Sequence, residues 1–421
     1  MIEDVIHFGM RIGLARPDKL RRRMDLIPRY NWDYGTSDFF QAIRSILRKK
    51  SDVAGILEKT FGQKPIFTTS GRTSLYAILK SMNLRDGSHV GVPLFCCSVV
   101  FDAIQQAKLV PRFIDIDLID YNISASDLRA KMERLAAVVV VHMFGHPADM
   151  DAISEVCRDI PIVEDCAQSL YSLYKGRYTG FSSIASFFSF RSGKYISAGE
   201  GSVIFCSNPS SHSALENLVE RFEKKNVLQE LQHCSATLMK SLFYKRPLYG
   251  LFGYTMGRML DKRLNLSAKT GFKLGKIAKS DSSVIRKKLP GFINAVNNQR
   301  QNSLSLLQKI QTQAVILPLE RNACVSNYFQ FAIRFRSQDE RDFVAERLLK
   351  KGIDSAKYLD EIVDWAKDQY GYRGDCPNAE LSSKTVLVIP NHYTLSESDL
   401  NYIADSFNEV ESELDKLRKK T

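Results

Sequence analysis

The sequence predicts an α/β protein: a large, mostly parallel, mixed sheet flanked by helices, followed by a smaller C-terminal α+β domain. Three observations predict it. Between about residues 65 and 206 short apolar runs alternate with helical patterns, the rhythm of strand–helix–strand units. Several of these runs, such as Ala-Val-Val-Val-Val-His at 137–142, show no in–out alternation, which marks strands covered on both faces. The chain has 421 residues, 44% hydrophobic and 25% charged, enough for a large core and for more than one domain.

The elements follow in order. Residues 1–27 form a basic N-terminal extension containing Lys19-Leu-Arg-Arg-Arg23. A helical segment is expected over 38–60. Strands are expected at 66–69, 89–95, 111–116, 137–143, 161–164, 184–190 and 201–206, with helices at 73–83, 98–107, 125–134 and 149–158. The last two strands have no helix between them, so part of the sheet is mixed. These elements assign 28–220 to the large domain. Residues 221–290 break the rhythm and hold sixteen Lys/Arg against four Asp/Glu, as large an excess as the +12 of the whole chain. Within them, 234–264 mixes bulky apolar and basic residues and reads as an amphipathic helix pair. Such a pair can lie on a membrane surface, cover a dimer partner or cover the mouth of an active site. Residues 291–421 form the small domain: a helix at 292–312, a strand at 328–335, a helix at 338–351, a loop at 374–380 and a final helix at 396–418.

Composition narrows the function classes. The eight cysteines form no CxxC pair and no metal-ligand spacing, so no metal is expected, and reduced thiols in apolar runs suit a reducing cytosol. The first nineteen residues carry acids and no sustained apolar stretch, and no run of about 20 uncharged apolar residues occurs. A cytoplasmic protein is expected, with peripheral membrane contact through 234–264 as one option.

Three short stretches carry chemistry. Thr69-Ser70-Gly71-Arg72-Thr73-Ser74 turns a strand into a helix, and the open N–H groups at a helix start can cradle a phosphate. Ser or Thr in that place also serves as a plain cap. Glu164-Asp165 ends an apolar strand, where α/β sheets bind their ligands; a capping role is equally open for Asp165. Lys194 sits in "SFRSGKYISAGEG" (189–201), just past another strand end. A lysine near apolar groups and another positive charge loses pKa and becomes a nucleophile toward carbonyls, whereas most loop lysines are simply solvated. Together, a phosphate cradle, a strand-end Asp and a loop Lys are the parts that a pyridoxal phosphate (PLP) site requires.

The sequence resembles the DegT/DnrJ/EryC1/StrS family, sugar aminotransferases of the type I PLP-transferase fold. The resemblance runs from about 28 to 410, with a gap over 221–285. It rests on "TSGRTSLYAIL" (69–79), "VPLFCCSVVFDAIQQAKLVPRFIDID" (92–117), "VVVHMFGHPADMDAI" (139–153), "VEDCAQSL" (163–170) and "SFRSGKYISAGEG" (189–201). It implies that Lys194 forms a Schiff base with the cofactor aldehyde and that Asp165 pairs with the pyridinium nitrogen. Gln168 would pack by the ring hydroxyl. Gly71, Arg72, Thr73 and Ser189 would form the phosphate site. It implies an amino-acid donor, glutamate in this family, and a keto-sugar acceptor, nucleotide-linked, in surface polysaccharide or secondary-metabolite synthesis. A homodimer is implied, and no nucleic-acid partner. A non-sugar cyclic ketone as acceptor, and a PLP-binding sensor without turnover, are the other readings. One branch of the family replaces the lysine with His and dehydrates sugars; Lys194 argues against that branch.

The chain departs from the family pattern at four places. Cys97 stands where a large aromatic usually covers the cofactor face, with Phe95 nearby. "SGRTSL" replaces "SGTAAL". Arg191 stands where His or an aromatic is common. The "GYNYRM"-type loop, which sends an Asn to the neighbouring subunit's phosphate, is not found, and the basic 221–290 segment occupies its place.

Overall fold

The computed structural model describes residues 24–47, 53–257, 272–312 and 314–418. The basic cluster 19–23 and the tail of the 234–264 stretch lie outside the described residues.

A seven-stranded sheet forms the large layer. Its strands are β1 (Ile66–Thr68), β2 (His89–Pro93), β3 (Val110–Ile114), β4 (Leu135–Val141), β5 (Ile162–Asp165), β8 (Ala185–Ser189) and β9 (Ser202–Cys206), in the order β1-β9-β8-β5-β4-β2-β3. Neighbours from β8 through β3 pair in parallel, and β9 runs antiparallel to both β8 and β1. The missing helix between the last two strands thus gives the mixed edge that the sequence predicts.

The valine run of β4 shows why alternation is absent. Val139 and Val141 pack into the cluster on one face, and Val138 and Val140 into the cluster on the other. All four are buried, each contributing on the order of 2 kcal/mol. Helices Gly71–Ser81 and Val99–Gln106 cover one face. The opposite face of β8 and β9 packs Phe188, Phe190, Val203 and Phe205 against the helices Lys279–Lys288 and Phe292–Lys309.

A three-stranded antiparallel sheet, β11 (Phe331–Arg334), β13 (Val386–Ile389) and β12 (Ala356–Lys357), forms the C-terminal layer beneath helices Gln338–Lys350 and Glu397–Arg418. Ile27 is buried in this layer and bridges Ile353. A small third sheet joins β6 (Leu173–Tyr174), β7 (Arg177–Tyr178) and β10 (Cys324–Val325).

Three expectations are corrected. The helix expected over 38–60 ends at Ile46, and a separate one runs Val53–Phe61. The loop expected at 374–380 becomes helical at Pro377, where proline suits the first turn because its missing N–H has no partner to lose. The expected strand 328–335 shortens to β11, and β13 beside it and helix Ile362–Tyr370 were not anticipated.

Candidate active site

The parallel strands of the sheet all deliver their carboxyl ends to one edge, where ligands of such sheets bind. Asp165 ends β5, Ser189 ends β8, the Thr69–Thr73 turn follows β1, and Cys97 follows β2. Residues 190–201 cross from β8 to β9 and carry Lys194. Backbone bonds shape that crossing: Ala198 N–H donates to Phe190 O at 2.9 Å, and Lys194 N–H to Arg191 O at 3.0 Å. Gly193 has φ +87, and a Cβ there would meet the Trp32 indole nitrogen at 3.3 Å. Conformation and space both require glycine next to the lysine.

Lys194 is half-buried, with its ammonium 4.3 Å from the centroid of the Phe329 ring. Burial, reinforced by the positive charge of Arg191, lowers its pKa to about 8 against the opposing pull of Asp165 and Cys97. Arg191 is thus the second positive group near the lysine. Asp165 is buried; this raises its pKa, while the Ala167 N–H bonded to its Oδ1 at 2.9 Å and the nearby Lys194 draw it down. Among the described residues no ion pair within 4 Å is formed by either of them.

At the cradle, Ser70 caps the helix Gly71–Ser81. Its Oγ accepts the Thr73 N–H at 3.3 Å and lies 3.0 Å from the Thr73 hydroxyl. The N–H groups of Gly71 and Arg72 then remain as the first-turn donors without intrahelical partners. A Cβ on Gly71 would approach the Phe187 ring to 3.1 Å, so this glycine lets helix and strand lie close. The Arg72 guanidinium is exposed and stands 5.1 Å over the Phe272 ring.

Gln168 is held on both sides: Oε1 accepts the Phe144 N–H at 3.0 Å, and Nε2 donates to the Tyr358 hydroxyl at 3.0 Å. Asn327 Nδ2 donates to Gln168 O at 3.0 Å and to Leu170 O at 2.8 Å. The Ser189 hydroxyl is half-buried and accepts the Arg191 N–H at 3.4 Å. Cys97 is exposed, whereas Phe95 is fully buried among Tyr121, Phe144 and Tyr358. Phe95 therefore belongs to the core and is not an exposed aromatic beside Cys97.

Several residues here escape sequence reasoning. Phe329, Asn327 and Tyr358 come from the C-terminal part of the chain and meet Lys194 or Gln168 only through the fold. A cavity beside Lys194 is lined by Tyr30, Asn31, Phe329, His392 and Tyr393, which no local motif connects.

The unusual segment ends on the cradle itself. Thr69 N–H donates to Gly275 O at 2.9 Å, and Gly201 N–H donates to Thr69 O at 2.7 Å. The Gln106 side-chain amide grips the Phe272 backbone at 3.0 and 3.1 Å. A Cβ on Gly275 would come 2.6 Å from Thr69 Cγ2. Residues 272–276 thus lie along the Thr69–Thr73 turn. Behind the lysine loop, Lys225 pairs with Glu200 at 2.6 Å and His233 with Asp281 at 2.8 Å. Burial disfavours the charge on His233, but the Asp281 bond outweighs it and raises the histidine above its ordinary value.

Comparison with known proteins agrees with this architecture. The sequence profile of the DegT/DnrJ/EryC1/StrS aminotransferase family matches residues 57–408. GDP-perosamine synthase of Escherichia coli O157:H7 is 24% identical over 359 residues, 85% of this chain and 88% of that protein. The crystal structure of the aminotransferase TlmJ from Streptoalloteichus hindustanus superposes with a TM-score of 0.74 at 19% identity, covering 92% of this chain and 100% of that one. The PLP form of a putative sugar aminotransferase from Streptococcus pneumoniae superposes with a TM-score of 0.72 at 18% identity, over 92% and 99% of the two chains. A profile match across most of the length, on a sheet that gathers a lysine, an aspartate and a helix start at one edge, leads to one conclusion: this chain belongs to the DegT/DnrJ/EryC1/StrS family of PLP-dependent aminotransferases.

Proposed function

We propose that this protein moves an amino group from an amino acid, glutamate by family resemblance, to a keto-sugar carried on a nucleotide. The observation that carries the reading is the state of Lys194: a half-buried amine with a pKa lowered to about 8, at the sheet edge that also holds the buried Asp165. An amine in that range offers an unprotonated fraction near neutral pH, as a nucleophile and a proton carrier both need.

The residues present fit PLP by their chemistry: an activated amine for the aldehyde, a carboxylate for the ring nitrogen and open helix N–H groups for the phosphate. When bound, PLP supplies an aldehyde and a protonated ring that withdraws electrons from the amino acid's α-carbon. Lys194 Nζ would hold the aldehyde carbon and, once displaced by the donor, would carry the proton from the donor's α-carbon to the former aldehyde carbon; in the second half it would carry one from that carbon to the acceptor's carbon. Asp165 would keep the proton on the ring nitrogen, a role that a buried carboxylate performs best when facing a cation. The N–H groups of Gly71 and Arg72, with the Ser189 hydroxyl, would bind the phosphate at the helix N-terminus. Gln168, held by Phe144 and Tyr358, would keep a fixed amide beside the ring hydroxyl. Cys97 would lie toward the ring face and offer less stacking area than an aromatic. One lysine serving donor and acceptor in turn gives ping-pong kinetics.

The test is direct. Protein supplied with PLP should be yellow, and glutamate should transfer its labelled nitrogen to at least one member of a panel of nucleotide-linked keto-sugars. A coloured protein that turns over none of them would refute the substrate assignment. A protein that stays colourless would refute the assignment of Lys194.

A further inference from the structure

We propose that the helix Val227–Phe243 and the helical turn after it seat this protein on an anionic lipid surface. This goes beyond the catalytic reading and does not depend on it.

The helix is packed the wrong way round for a soluble protein. Its inner face is small and polar: Glu230, Cys234, Thr237 and Ser241 are buried. These groups are tied down. Glu230 accepts the Ser280 N–H at 2.9 Å, and the Ser241 hydroxyl donates to Trp32 O at 2.5 Å. Leu228, Leu231, Met239 and Leu242 recur at helical spacing on the other side. Leu228 is 63% and Met239 51% exposed.

The following turn repeats the arrangement. Tyr249 is buried with its hydroxyl donating to Asp354 at 2.5 Å, and Arg246 makes two 2.9 Å bonds to Asp399. Leu248, Phe252 and Met256 are exposed on the outside. The Phe243 and Phe252 rings, 6.4 Å apart, join the two stripes. A Cβ on Gly253 would fall 2.0 Å from Phe243 O, so glycine permits this close approach. The apolar side therefore cannot turn inward without breaking the polar bonds that fix the other side.

Charge selects the occupant. Lys224, Lys240 and Lys245 are exposed on the same segment, and residues 221–290 hold sixteen bases against four acids. Part of that excess is paired inward, Lys225 with Glu200, Lys276 with Glu220 and Lys287 with Asp38. A second copy meeting this face across a twofold axis would set basic patch against basic patch. An acidic bilayer accepts both features: leucines and phenylalanine at the acyl boundary, lysines among the headgroups. No helix among the described residues is long and apolar enough to cross a membrane, so the contact is one of lying on the surface.

The experiment is flotation of the full-length protein with vesicles of phosphatidylcholine alone or mixed with phosphatidylglycerol. The wild type should float with the mixed vesicles, less with the neutral ones, and less at high salt. The triple variant Leu228→Gln, Leu231→Gln, Met239→Gln should lower the bound fraction about tenfold or more with an unchanged melting temperature. The charge variant Lys240→Glu, Lys245→Glu should remove the preference for phosphatidylglycerol. A wild type that stays in the soluble fraction with both vesicle types overturns the proposal, as does a triple variant that floats equally well. If the wild type does not float and the triple variant instead splits an oligomer on size exclusion, the stripe is a subunit contact and the proposal falls.

Discussion

The lysine loop and the segment after it solve opposite problems with the same residue types. Around the lysine loop charged groups are drawn inward: Asp165, at the end of the neighbouring strand β5, is buried, and Lys194 loses pKa through burial. At 227–256 polar groups are also drawn inward, but there they displace leucine, methionine and phenylalanine to the surface. Burial in the first region lowers the pKa of an amine. Burial of polar groups in the second leaves an apolar exterior. A buried polar residue therefore says little by itself; what the packing does to its neighbours decides its use.

The largest effect should come from removing the reactive amine. Lys194→Ala is expected to lower amino transfer by about a thousandfold or more and to abolish the yellow colour with PLP, read by turnover and by visible spectroscopy. Lys194→Arg should do the same, because the charge without a free amine is not enough. Retained colour in either variant would transfer the role to another residue.

A structural joint between the two regions comes next. His233→Ala leaves Asp281 buried without its donor and should cost about 1.5–3 kcal/mol in urea unfolding. The sign with pH follows from the raised histidine pKa. The contribution is fully present below the unfolded value of 6.5 and fades as pH rises through the higher folded value. The difference between wild type and variant should shrink accordingly, and a difference that grows toward alkaline pH would contradict the pairing.

The cradle should be gentler. Gly275→Val forces a side chain against Thr69, an overpacking cost of about 1–3 kcal/mol. PLP should then bind about tenfold more weakly, measured by equilibrium dialysis of the apoprotein. Unchanged affinity would show that residues 272–276 only pass by the cradle.

The smallest effect concerns Arg191. Arg191→Gln removes a positive charge that holds the lysine pKa down, so the pKa should rise toward 10.5. The rate at which apoprotein takes up PLP should then reach its alkaline plateau at higher pH than in the wild type. An unchanged plateau would mean that burial, without Arg191, sets the Lys194 pKa.

Much of the sheet was legible because its strands are apolar on both faces, as the split of Val138 to Val141 between two clusters makes plain. The candidate site residues could be picked out of the sequence because each lies at or just past the end of an apolar run, within a short motif. Phe329 and Tyr358 were not, since they reach the site from distant stretches that carry no local mark of it. The run Val386-Leu-Val-Ile389 had the composition of a buried strand, with Pro390 ending it, and could have been read. The orientation of the helix at 227–243 could not. Periodicity reveals that a helix has two unlike faces but not which one the remainder of the protein will cover.

Thr69 has a consequence of its own. Its carbonyl receives Gly201 at the end of the lysine loop, and its N–H is given to Gly275 at the end of the basic segment. One residue of the Thr69–Thr73 turn thereby splices the crossing that carries Lys194 to the chain that returns from the outward-facing helices. Thermodynamic linkage makes any traffic through that splice symmetrical: if cofactor loading tightens the grip of the helices by some factor, attachment of the helices tightens cofactor retention by the same factor.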